Sequence, residues 1–151
     1  MVDMTDATDQ PLGFLLYQVM AALRPQVNAE LRPLGIGLAE FVCMRNLSMW
    51  PDQSNAELAR RASVTPQAMN LVIRSLQDMG LIARPEAASS GRSLPARLTR
   101  KGVALLKRAE AAVLVADARL LDELAPADRD ELKRLLYVTS MQSLKGAPSS
   151  R

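Results

Sequence analysis

The sequence predicts a mainly helical protein with one small β-hairpin. Three observations lead there. Apolar residues recur at helical spacing across both ends of the 151-residue chain. Two short helices with clear start signals, at Ser54 and Thr65, sit back to back in the middle. Directly after them come two apolar stretches of strand character, separated by a loop rich in Ala, Ser and Gly.

Taken in order, residues 1–9 read as a disordered tail. Leu12 to about Leu34 is helical, with Leu12, Leu15, Leu16, Val19, Met20, Leu23 and Val27 on one stripe. Pro25 should kink this helix or mark a second start, because it removes one i→i−4 bond. Leu34-Gly35-Ile36-Gly37 is a turn. Leu38 to Met49 is the next helix, closed by Trp50-Pro51-Asp52. Ser54-Asn55-Ala56-Glu57 has the form of a capping box, a Ser cap with Glu three residues on, and opens a helix from Asn55 to Ala62. Ser63-Val64 connects. Thr65 caps the following helix and Pro66 takes its first position, where a missing N–H costs nothing. Met69, Val72, Ile73 and Leu76 form its inner side, and Met79-Gly80 ends it.

Leu81 to Pro85 and Leu94 to Leu98 are the strands, with the loop Glu86 to Arg92 between them. Thr99 caps a long helix from Arg100 to about Leu124, striped by Val103, Leu106, Val113, Ala116, Leu120, Leu121 and Leu124. Ala125-Pro126-Ala127-Asp128 separates it from a last helix, Asp128 to about Leu144, whose apolar face is Leu132, Leu135, Leu136 and Thr139. Residues 146–151 form a polar tail.

Composition removes whole classes of chemistry. The chain has no histidine and a single cysteine, Cys43. Zinc fingers, Ser-His-Asp triads and Cys-His pairs are therefore excluded, and no internal disulfide can form. With no nucleophile–base pair, phosphate loop or metal cluster in view, no enzyme is expected and no cofactor is implied. Cys43 lies in an apolar run and reads as a buried, inert thiol. The acidic N-terminus lacks the layout of a signal peptide and no apolar run approaches a membrane span, so a cytoplasmic protein without membrane contact is expected.

Charge is unevenly placed. Residues 1–54 carry a net −3, residues 55–108 a net +7 and residues 109–151 a net −1. A basic module between acidic flanks points to a polyanion. Its elements, a short helix, a tight turn, a second helix and a hairpin, make a winged helix-turn-helix. The second helix can place its N-terminal residues against base edges in the major groove of double-stranded DNA. Its N-terminal candidates are Thr65, Pro66, Gln67, Ala68, Asn70, Leu71 and Arg74. Gln67 and Asn70 can each bond adenine through two hydrogen bonds, and Arg74 can reach guanine or phosphate. The hairpin adds Arg84, Arg92 and Arg97, with Arg92 at the tip suited to a narrow minor groove. Arg100 and Lys101 sit in the first turn of a helix, where a nearby phosphate would offset an unfavourable dipole. None of the five aromatic residues lies in 55–108, so base contacts fall to polar and basic side chains.

These pieces, in order, resemble the MarR (multiple antibiotic resistance regulator) family of bacterial transcription factors over roughly residues 10–145. The resemblance is carried by Ser54-Asn55-Ala56-Glu57-Leu58-Ala59, by Val64 through Asn70, by Leu76 through Arg84, and by the wing from Gly91 to Gly102. The family's wing commonly reads Asp-Arg-Arg; here Gly91-Arg92-Ser93 keeps one arginine and lacks the acid. The resemblance implies a homodimer built by the outer helices, residues 10–53 and 103–145, with 54–102 as the DNA-binding region. It implies a repressor of a pseudo-palindromic operator, released by a small aromatic or anionic ligand. Candidate ligand residues come from the first two helices: Tyr17, Met20, Phe41, Met44, Arg45 and Trp50. The competing expectations are a winged-helix module that binds protein, and a DNA-binding protein that answers to no effector.

Overall fold

Helix ends in this chain are set by hydroxyls and glycines, and the elements follow from them. The computed structural model describes residues 6–84 and 95–145. In order come α1 (Leu12–Leu31), a 3₁₀ turn (Arg32–Leu34), α2 (Leu38–Met49), α3 (Asn55–Ala62), α4 (Pro66–Asp78), β1 (Ile82–Ala83), β2 (Arg97–Leu98), α5 (Arg100–Leu120) and α6 (Pro126–Lys145). The expected loop from Glu86 to Arg92 lies outside the described residues, as do 1–5 and 146–151. The chain divides into two units, Met1–Asp117 and Ala118–Arg151.

Within the first unit the caps act as their chemistry requires. Ser54 Oγ accepts from the Glu57 N–H at 3.2 Å, Thr65 Oγ1 from Ala68 at 3.1 Å and Thr99 Oγ1 from Gly102 at 3.0 Å. Each supplies a partner to an N–H that the helix itself leaves free. Gly80, at φ 72°, takes the left-handed turn after α4, where a side chain would be strained. The strands pair antiparallel, Ile82 with Leu98 and Ala83 with Arg97, and are shorter than the apolar stretches that announce them.

One buried cluster serves this unit. Val27 and Leu31 of α1, Cys43, Met44 and Leu47 of α2, and Leu58 and Ala59 of α3 meet Met69, Ile73 and Leu76 of α4. Leu81, Ile82 and Ala96 from the hairpin and Leu105, Leu106, Ala109 and Ala116 from α5 complete it. Among the expected inner residues of α4, Val72 is half-buried.

Two expectations about proline are corrected. Pro25 marks no second start: α1 runs from Leu12 to Leu31 through it. Its ring faces solvent, so the one lost hydrogen bond falls on a wet turn, while Val27 and Leu31 anchor the helix beyond it. Pro126 lies inside α6 at the first position rather than in a connector, and α5 stops at Leu120 rather than near Leu124. In this second unit the Arg129 guanidinium donates to the carbonyls of Leu124 and Asp122, tying the turn to the first coils of α6.

The stripes of the outer helices are exposed in the single chain. On α1, Leu12, Phe14, Leu16, Tyr17, Val19 and Met20 face solvent, and on α6 so do Leu132, Leu135, Leu136, Tyr137 and Val138.

Gly102 has a role that periodicity does not reveal. A Cβ built there would lie 2.0 Å from the Leu81 carbonyl oxygen, a backbone atom that cannot swing aside. The first turn of α5 thus packs directly on the chain entering β1. Gly102→Ala should destabilise the fold by about 1–3 kcal/mol, roughly 3–10 °C for a chain of this size. Calorimetry of the variant checks this, and an unchanged midpoint would show that the contact is loose.

Cys43 is fully buried, and its thiol is pushed up from 9.0 to about 12, first by desolvation and then by the Glu40 carboxylate. The neutral thiol is the form the fold prefers. Its contribution to stability is therefore present below pH 9 and lost as pH rises toward 12. A thiol reagent at pH 8 should label Cys43 only after denaturant opens the fold. Rapid labelling of the native protein would contradict this.

Candidate nucleic-acid interface

The helix pair that presents α4 is closed by a single strained residue. Ser63 sits in the left-handed region at φ 53°, and the Ser63 and Val64 N–H groups return to the Arg60 and Ala59 carbonyls. This lets α4 leave α3 at once, with Thr65 as its cap. Burial of Met69, Ile73 and Leu76 then decides what faces outward: Gln67, Asn70, Leu71 and Arg74 occupy successive turns of one exposed face. Leu71 is 68% exposed, unusual for a leucine without a partner. Thr65 and Pro66 are exposed at the N-terminus, and Ala68 is half-buried.

The sequence-derived arginines are not equivalent. Arg74 is exposed on α4 and makes no hydrogen bond or ion pair among the described residues. Arg97, on β2, donates through Nη2 at 2.6 Å and Nε at 3.1 Å to the Asp52 carboxylate. Both partners are more than half exposed, so the pair is worth about 0–1 kcal/mol and acts mainly to orient the guanidinium. Arg84 is half-buried where β1 ends, and its Nη2 donates to Asn55 Oδ1. Asn55 in turn donates from Nδ2 to Asn70 Oδ1 at 2.8 Å. Arg92 lies outside the described residues.

Asp52 and Asn55 are the members that sequence reasoning missed. Asp52 lies in a turn at φ 68°, and Asn55 stands in the capping box only as its first helical residue. Lys101 has a partner within the chain. Its Nζ donates at 2.8 Å to the Met79 carbonyl, satisfying the end of α4.

Behind α4 lies a cavity of about 610 Å³. Met20, Arg24 and Asn28 of α1, the start of α2 from Gly37 to Glu40 with Val42, the turn Ala62-Ser63-Val64, and Met69 and Val72 of α4 line it. That size and mainly apolar wall suit a small organic ligand. Asn28 Oδ1 accepts from the Leu38 N–H and Glu40 Oε2 from the Gly37 N–H, so these two side chains serve the α2 terminus. Arg24 is exposed, with no hydrogen bond or ion pair among the described residues.

Of the six candidate ligand residues, Met20 alone lines this space. Met44 is fully enclosed in the core, Phe41 is half-buried against it, and Tyr17 is 75% exposed. Arg45 reaches the other way, to Glu110 at 2.8 Å. Trp50 lies under the Arg61 guanidinium, 4.1 Å from the ring centre. Among the described residues no group of acids and cysteine could hold a metal ion.

Comparison with known proteins agrees with this architecture. A family model described as MarR family matches residues 36–94. The HTH-type transcriptional repressor Rv2887 of Mycobacterium tuberculosis (strain ATCC 25618 / H37Rv) is 62% identical over 130 residues, covering 86% of this chain and 94% of that protein. A crystal structure of Rv2887 in complex with salicylic acid superposes with a TM-score of 0.76 at 60% identity, over 88% of this chain and 98% of that one. Its complex with DNA gives a TM-score of 0.72 at 54% identity, over 86% and 98%.

Proposed function

The chain belongs to the MarR family, whose members are transcriptional regulators and not enzymes, and from that premise we propose that it is a homodimeric repressor of a pseudo-palindromic operator, released by a small aromatic acid. The observation that carries the reading is the outward face of α4. A polar and cationic row, Gln67, Asn70 and Arg74, stands on a helix whose opposite face is locked in the core. Such a helix can enter a major groove without disturbing its own packing. Residues 54–102 form the DNA-binding region. Thr65, Pro66, Ala68 and Leu71 surround the readers, and Arg84, Arg92 and Arg97 belong to the wing. Rv2887, similar along nearly its whole length, has been crystallised with DNA.

Dimerisation accounts for the exposed apolar faces of α1 and of α6. A second copy covers each, which a lone chain leaves in water. Two recognition helices related by a two-fold axis then address half-sites about one helical turn apart. The protein works in the cytoplasm beside its operator; among the described residues no helix is long and apolar enough to cross a membrane.

The cavity behind α4 takes the effector. Met20, Val42, Val64, Met69 and Val72 offer an apolar slot for a ring, and Arg24 offers a cation for a carboxylate. Rv2887 has been crystallised with salicylic acid, a ligand of this kind. Because Met69 and Val72 belong to α4, a ring lodged against them bears on the helix that reads DNA. Binding in one place is thereby coupled to affinity in the other.

A gel-shift titration against the DNA upstream of its own gene tests the reading. We expect a complex that weakens steeply with salt, as phosphate contacts require, and that dissociates on adding salicylate. Arg74→Ala should weaken it, whereas a protein-binding module would be indifferent. Arg24→Ala should lower salicylate affinity by about tenfold, the worth of one charge-assisted contact, while DNA affinity without salicylate stays unchanged. Absence of any complex at low salt would refute the proposal.

A further inference from the structure

Asn55 bridges the wing and the recognition helix. Its Oδ1 accepts from Arg84 Nη2, and its Nδ2 donates to Asn70 Oδ1 at 2.8 Å. The two ends of an amide are hard to tell apart by shape, yet here one neighbour decides them. A guanidinium has donors only. The atom of Asn55 that faces Arg84 must therefore be oxygen, so nitrogen faces Asn70. The atom of Asn70 that faces Asn55 must then be oxygen as well. The polarity of the whole relay, Arg84 to Asn55 to Asn70, follows from its arginine end.

What remains of Asn70 for a ligand is its Nδ2 group. Asn70 is exposed on the same face as Gln67, Leu71 and Arg74, and Nδ2 has no partner among the described residues. Two hydrogen bonds to adenine need oxygen and nitrogen aimed together at one base edge. The Asn70 carbonyl is aimed at α3 instead. Gln67, which makes no such bond among the described residues, keeps both atoms free.

We propose that Asn55 is a positioning residue for base reading: it holds Asn70 with its NH₂ outward, so Asn70 favours the paired acceptors O6 and N7 of guanine, or O4 of thymine, over adenine, whose N7 acceptor stands beside the N6 donor. The inference rests on the DNA-binding reading above and specifies what one of its contacts reads. It also gives Arg84 a different task from the other basic residues. Arg84 anchors the relay from the root of the wing, and Asn55 passes that orientation across to α4.

Selection from a random duplex library, with the full chain as wild type, Asn70→Ala and Asn55→Asp, tests this. Wild type should show one position per half-site that Asn70→Ala flattens, and at that position guanine or thymine should exceed adenine by about fivefold or more. Asn55→Asp still accepts from Arg84 and suits the first turn of α3, but it cannot donate to Asn70. It should relax the preference at that position alone. Its added negative charge weakens all sequences alike, so base preference rather than affinity is the readout. An adenine preference at the Asn70-dependent position, a flat response to Asn70→Ala, or an unaltered profile in folded Asn55→Asp would each overturn the proposal. Should Asn55→Asp fail to fold by circular dichroism, the identity of the base at the Asn70-dependent position still decides. A wild-type chain that enriches no sequence fails the regulator reading itself, and this inference with it.

Discussion

Burial of the inner face of α4 is the constraint on which the rest of this structure depends. Met69, Ile73 and Leu76 are each almost wholly enclosed. Removing side chains of that size from water is worth about 1.5–3 kcal/mol apiece, far more than any surface pair on the helix. With 3.6 residues per turn, fixing those three residues fixes the direction of every other side chain on α4. Gln67, Asn70, Leu71 and Arg74 face outward because the core leaves them no other side. The interface is thus a consequence of packing, and its precision is that of the core.

The neighbours of α4 refine that position from several directions. Lys101 holds its last carbonyls, Thr65 its first N–H groups, and Asn55 its outward amide. Most of these contacts are individually weak, since they lie near water. Their value is geometric: each removes a freedom that the apolar face alone leaves open. The cavity behind α4 belongs to the same arrangement. Val72 is half-buried where Ile73 is sealed, and Val72 and Met69 border the cavity. A ligand that filled this space would change the support of the helix. A coupling of about 1–3 kcal/mol is of the size that such a change supplies.

How much of this was legible in the chain varies with how local the signal is. Helix starts at Ser54, Thr65 and Thr99 were readable, because a hydroxyl cap and the N–H it serves are three residues apart. The inner face of α4 was readable from its period. Gly102 was not: its requirement comes from the Leu81 carbonyl, and no pattern near residue 102 records that approach. Asp52 and Asn55 were missed for the same reason, since their partners Arg97 and Arg84 are 45 and 29 residues away. Proline misled in both directions. Pro25 can mark a second helix start but is spanned by α1, and Pro126 looks like a linker but begins a helix. The lining of the cavity was the least legible. Aromatic and methionine side chains on α2 announce burial, not which side of the helix opens to a cavity. Met44 filled the core, and the cavity went to Val42 two residues away.

The relation between stability and assembly follows from the same accounting. The first unit has its own sealed cluster, whereas apolar residues of α6 and of the N-terminal half of α1 are exposed. A protein arranged this way gains much of its stability on association, so its apparent stability rises with concentration. The helix that reads DNA does not share that dependence. Its inner face is satisfied by α2, α3 and β1 of the same chain. Dimerisation therefore sets where the two recognition helices stand, while each chain alone sets which of their side chains face the groove.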